Sequence, residues 1–150
     1  MKIIPLFLLI ITTTFSSAQN KPVYDSILAK ELGADEYGMK SYSFVILTTG
    51  DSTINDQKRV QELFNGHLKN ISELEKDGKL VLAGPLGENP HEYRGLFIFN
   101  NPSVEETKKL LNTDPAIVAG LLNYKIFEWY GSAALPTYLE THYRIQKTSF

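Results

Sequence analysis

The chain has 150 residues, 43% hydrophobic and 21% charged, which fits one folded domain and excludes a disordered chain as the starting expectation. A formal net charge of −2 gives no basic excess for neutralising phosphates, so no nucleic-acid partner is expected. The absence of Cys excludes disulfides and a lipid-modified Cys.

In chain order, the first segment is "MKIIPLFLLIITTTFSSAQN". One positive charge at Lys2 precedes an apolar run over residues 3–11, and small polar residues follow. This is the layout of a secretory signal peptide over residues 1–18, cut after Ala18. The run is shorter than the roughly 20 residues a spanning helix needs, so no membrane span is expected after cleavage. The mature protein is then periplasmic or secreted, and rests on its core alone. Residues 19–40 read as an N-terminal arm with a short helix over 24–32.

"SYSFVILTT" is aromatic and β-branched, closed by Gly50-Asp51, and predicts a first strand. A long helix is expected over 56–77. "KLVLAGPL" and "YRGLFIFN" predict the second and third strands, divided by Gly87, Asn89 and Pro90. "NPSVEETKKLLNT" predicts a short helix, with Ser103 and Glu106 at capping-box spacing. "DPAIVAGLL" reads as a turn and a helical piece, and "NYKIFEWY" as the fourth strand. The order β-α-β-β-α-β predicts an α+β, ferredoxin-like fold with a four-stranded antiparallel sheet over residues 41–131. Residues 132–150 form a C-terminal extension in which "ALPTYLETHYRI" predicts a helix after Pro136, with Leu139 and Tyr143 on a face that could pack on a dimer.

Both helices of that fold lie on one face of the sheet, yet neither face reads as polar. Tyr42, Phe44 and Ile46 oppose Val45 and Leu47, and Phe127 and Trp129 oppose Ile126 and Tyr130. Two apolar faces need two covers. A second copy packed sheet on sheet as a two-fold homodimer is the favoured cover, and a folded-back tail or arm is the other.

His67 stands where a leucine is expected. At 100° per residue it falls about 20° from Val60, between Phe64, Ile71 and Leu74, in the middle of the apolar arc. The imidazole therefore faces the sheet. Such a histidine can be a base, an acid or a ligand, or a core residue bonded to a carbonyl.

His67 with "LKNISELEKDGKLVLAGPL", then "YRGLFIF", then "DPAIVAGLLNYKIFEW", resembles the YciI-related (YCII) domain family over residues 41–131. The resemblance implies a dimeric ferredoxin-like α/β barrel with a His–Asp pair at the base of a pocket. On this sequence the pair is His67 and Asp114, with Gly84 and Pro85 at the pocket wall. A carboxylate beside an imidazole fixes its tautomer and makes it a better base. Asp114 before Pro115 can also shape a turn or cap a helix, and the two roles can coexist. Fold-level analogy then points to a lyase or isomerase moving protons on a small carbonyl-bearing molecule. The alternative is a non-catalytic ligand-binding or assembly module on the same fold. The chain departs from the family pattern at Phe64, where a basic residue is common, and at Phe127-Glu128, where a His is common. The leader and the C-terminal extension are further departures.

His91 in "GENPHEYRG" reads as a loop residue, and His142 in "LETHYR" as an exposed tail residue. The three histidines lack ligand spacing, so no metal site is expected. Haem is known in related dimeric barrels, but nothing else in the sequence supports it, and no cofactor is expected.

Overall fold

The structure is a computed structural model and describes residues 23–100 and 103–148. The leader and its cleavage site lie outside the described residues.

Four strands form one antiparallel sheet: β1 (Met39–Thr49), β2 (Leu80–Pro85), β3 (Tyr93–Phe99) and β4 (Leu122–Ser132), in the order β2-β3-β1-β4. The helices are α1 (Ser26–Leu32), α2 (Gln57–Lys76), α3 (Val104–Leu111), α4 (Pro115–Val118) and α5 (Tyr138–Ile145), the last preceded by a 3-10 turn (Leu135–Thr137). With α2 connecting β1 to β2 and α3 connecting β3 to β4, this is the ferredoxin-like βαββαβ arrangement. The strands run one or two residues past several expected ends. β1 begins at Met39, and β4 continues to Ser132, because Met39 and Ser132 pair across the sheet.

Local chemistry sets the helix ends. The Asp56 carboxylate accepts from the backbone N–H of Lys58 (3.0 Å) and Arg59 (3.2 Å), capping α2. Such a cap contributes about 1 kcal/mol. Gly78, at φ +66°, ends the helix in the left-handed region, and the Lys79 N–H reaches back to the Leu74 carbonyl at 2.9 Å. Ser103 caps α3 through the Glu106 N–H, as the capping-box spacing predicts.

The main core lies between the sheet and α2, α3 and α4. Val45, Leu47, Phe97 and Phe99 meet Leu74, Leu111 and Ala116 there. Phe99, Leu80 and Val45 are fully buried, each worth about 1.5–3 kcal/mol. The polar pair Ser43 and Thr107 is buried with them, and the Thr107 hydroxyl donates to Ser43 Oγ at 2.9 Å.

The ladder between β2 and β3 slips by one residue between Leu80 and Leu82. The alternation of β2 therefore inverts at Val81. Leu80 and Ala83 pack into the main core, while Val81 and Leu82 join a second cluster with Tyr42 and Ile98 on the outer face.

The extension covers one end of that outer face, where Leu135 and Tyr138 pack on the second cluster. Phe127 and Trp129 stay 48% and 38% exposed. The arm is tied down at its far end. Tyr130 donates to the Asp35 carboxylate, Lys40 Nζ reaches the Leu32 carbonyl at 3.1 Å, and the Ala133 N–H reaches Gly38 O at 2.9 Å. Helix α1 itself buries no residue. No helix among the described residues is long and apolar enough to cross a membrane.

Candidate functional site

Helix α2 carries His67 over the sheet at 9% exposure, as the helix period predicts. Its ring stacks on Phe97 (centroids 6.0 Å apart, planes at 27°) and meets the edge of Phe64 at 6.1 Å. Gly66 makes this placement close. A methyl group on Gly66 would lie 2.6 Å from Pro115 Cγ, so only glycine lets α2 approach α4 at this point.

Across that contact sits Asp114, 1% exposed and held by hydrogen bonds of two kinds. Its Oδ1 accepts from the N–H of Ala116 (2.9 Å) and Ile117 (3.4 Å), capping α4. Its Oδ2 lies 2.5 Å from His67 Nδ1. The cap and the partnership with His67 thus coexist on one side chain, and the cap fixes the carboxylate before the imidazole reaches it. A carboxylate can only accept, so Nδ1 is the donor. In the neutral ring, Nε2 is then the acceptor. Nε2 makes no hydrogen bond among the described residues, and no buried side-chain nitrogen or oxygen there lacks a partner. It is therefore open to solvent or ligand rather than sealed in the core.

A cavity of about 490 Å³ adjoins the pair. Its inner walls are apolar and include Leu47, Phe64, Ile71, Ala83 and Phe97, with His67 among them. Gly84 and Pro85 line it where β2 ends, and Asp114 lies behind His67 rather than on the surface of the cavity. Such a size and lining suit a small organic molecule.

The outer wall was not expected. Tyr138, His142 and Tyr143 of α5 line the cavity opposite Ser72 and Glu75 of α2. His142 is half-buried rather than an exposed tail residue, and Tyr143, 48% exposed, also borders the cavity. Phe64 and the extension wall the cavity without filling it, and Phe127 lies on the outer face of the sheet, paired with Phe44. Burial pushes the Glu75 carboxyl above its ordinary value, and the charge of His142 partly offsets this. Burial also raises the phenols of Tyr138 and Tyr143, with Glu75 adding to both. The amphipathic pattern of "TYLETHYRI" announces a helix, but nothing in it says which surface the helix covers.

His91 is exposed and stacks on Tyr93 at 5.3 Å, away from this site. Among the described residues, no group of three or more His, Cys, Asp or Glu is placed to hold a metal ion.

No family model matches the chain, and no curated protein matches it significantly in sequence. Among solved structures the chain is similar to 5-chloro-2-hydroxyhydroquinone dehydrochlorinase from Burkholderia phenoliruptrix AC1100, in complex with 2,5-dihydroxybenzoquinone. The two are 20% identical with a TM-score of 0.43, over 58% of this chain and 92% of that one.

Proposed function

We propose that this chain is a small-molecule acid–base enzyme of the lyase or isomerase type. His67 is the general base and Asp114 its orienting partner. The observation that carries the reading is the 2.5 Å contact between His67 Nδ1 and Asp114 Oδ2 beside an apolar cavity, with Nε2 left open. Asp114 holds the tautomer in which Nε2 accepts a proton, and stabilises the imidazolium that results. The apolar walls suit a flat ring whose acidic C–H lies against Nε2.

The test is solvent deuterium exchange. A panel of cyclic diketones, unsaturated lactones and hydroxyquinones is incubated with the protein in heavy water, and carbon-bound deuterium is read by NMR. The reading expects catalysed exchange on at least one member, lost in His67→Gln. Saturable binding with no exchange on any member supports the second reading, a binding module.

The same proposal includes a homodimer and export. The exposed Phe127 and Trp129, beside the half-buried Phe44 and Ile46, leave an apolar strip that a second copy would cover, sheet on sheet, as a dimeric α/β barrel. Export rests on the leader over residues 1–18, and N-terminal sequencing of the mature protein checks it.

A further inference from the structure

A base alone does not complete an isomerisation or elimination. Removing a proton beside a carbonyl pushes an electron pair onto the carbonyl oxygen, and that charge needs a donor. Asp114 points the wrong way for this, and the inner walls of the cavity are apolar. Apart from His67 and the C-terminal extension, the side-chain donors lining the cavity are Ser72, whose hydroxyl already donates to the Leu68 carbonyl, and the exposed Lys76 and Arg94, so the donor held against the fold is sought on α5.

Tyr138 has the required features. Its ring packs on the second cluster, and its centroid lies 6.2 Å from the ring of His142 one turn further along the same helix. It lines the same cavity as His67. Its hydroxyl makes no hydrogen bond among the described residues, and it is not a sealed orphan, since no buried side-chain oxygen there lacks a partner. Tyr143 is 48% exposed and does not join that cluster.

We propose that Tyr138 is the oxyanion donor of the His67 cavity, and that the site takes cyclic enolisable carbonyl compounds and their phenolic analogues. This rests on the acid–base reading of His67. Nε2 takes the proton from the carbon next to the carbonyl, the C–H electron pair becomes the enolate double bond, and the carbonyl pair moves to oxygen. The Tyr138 O–H donates to that oxygen. Collapse of the enolate then either recovers the proton from His67 at a conjugated carbon, giving an isomer, or expels a β substituent with its electron pair, giving an alkene. Burial and the nearby Glu75 keep the phenol protonated, which a donor requires. The C-terminal extension is on this account a working wall of the site.

The probe is 4-nitrophenol, whose bound anion mimics the enolate and reports its own charge by absorbance. Wild type is expected to bind the phenolate. Tyr138→Phe keeps the ring and is expected to weaken binding about tenfold or more, the scale of a hydrogen bond to a charged oxygen. Tyr143→Phe should change affinity less than about twofold. Replacing Tyr138 with 3-fluorotyrosine, a stronger donor in the same shape, should tighten binding and guards against a folding defect in the Phe variant. Unchanged affinity in Tyr138→Phe, with weaker binding in His67→Gln, overturns the role of Tyr138 and leaves the acid–base reading standing. Failure of wild type to bind the phenolate overturns both.

Discussion

Gly66 lies against Pro115 so closely that a single added methyl would meet the proline ring at 2.6 Å. The next residue after Gly66 is His67, and the residue before Pro115 is Asp114. The closest approach of α2 and α4 is therefore also the junction that brings His67 and Asp114 together.

Gly66→Ala should separate the pair. Overpacking costs about 1–3 kcal/mol, while alanine in mid-helix returns about 1 kcal/mol. The expected net effect is a loss of up to about 2 kcal/mol, read as a lower urea midpoint. Any His67-dependent exchange should fall far more than this loss of stability explains, because a misplacement near 1 Å can cost on the order of a hundredfold in rate.

Asp114→Ala and Asp114→Asn should differ. The alanine variant loses the α4 cap and leaves the buried His67 Nδ1–H without a partner. About 1 kcal/mol for the cap and about 1–3 kcal/mol for the orphaned donor give an expected destabilisation of about 2–4 kcal/mol. Asparagine can keep the cap with its amide oxygen, so it should lose less stability yet still lose activity. Chemical denaturation of both variants, beside the exchange assay, separates the structural role from the chemical one.

The arm should respond to pH at both extremes. The hydrogen bond from Tyr130 holds the Asp35 carboxyl below its ordinary 3.8, helped by the Met39 and Tyr37 N–H groups and opposed by slight burial. A depressed folded pKa means the contribution is complete above the unfolded value and is lost as pH falls through the lowered one. The bond to Asp35 raises the Tyr130 phenol above its ordinary 10.0, so that contribution is complete below 10.0 and lost as pH rises through the raised value. Protection of the Tyr37 and Met39 amides, taken against the unprotected rate at the same pH, should fall at both limits. Tyr130→Phe should lower it at neutral pH and abolish the alkaline step.

Phe127→Glu tests the exposed strip. If a second copy covers Phe127 and Trp129, a charge at the centre of that contact gives a monomer with an unchanged fold. Light scattering after size exclusion reads the mass, and circular dichroism the fold. A monomeric wild type contradicts the dimer proposal directly.

The fold was legible because its signals are local and repeat. Phe64, Ile71 and Leu74 fix the apolar arc of α2, and any residue between them in angle must face the sheet, which placed His67 without a structure. Asp114 was legible as a cap because Asp before Pro at a helix start is a local pattern. Its second bond spans 47 residues, and only the family resemblance pointed to it. The slip at Val81 was not legible, because one extra residue in β2 leaves the composition of the strand unchanged while inverting its faces. The dependence on Gly66 was hidden as well, since a glycine in mid-helix looks like a weak helix position until the neighbouring Pro115 is known. The same holds for Tyr138 and His142, whose helix pattern is visible but whose docking partner lies on another element.

The most direct test of the account is the tautomer of His67, read from the ring nitrogen shifts of labelled protein at a pH where the ring is neutral. Nδ1 should carry the proton in wild type, and Asp114→Asn should lose this preference. A wild-type ring protonated at Nε2 would leave no acceptor facing the ligand and would contradict His67 as the base.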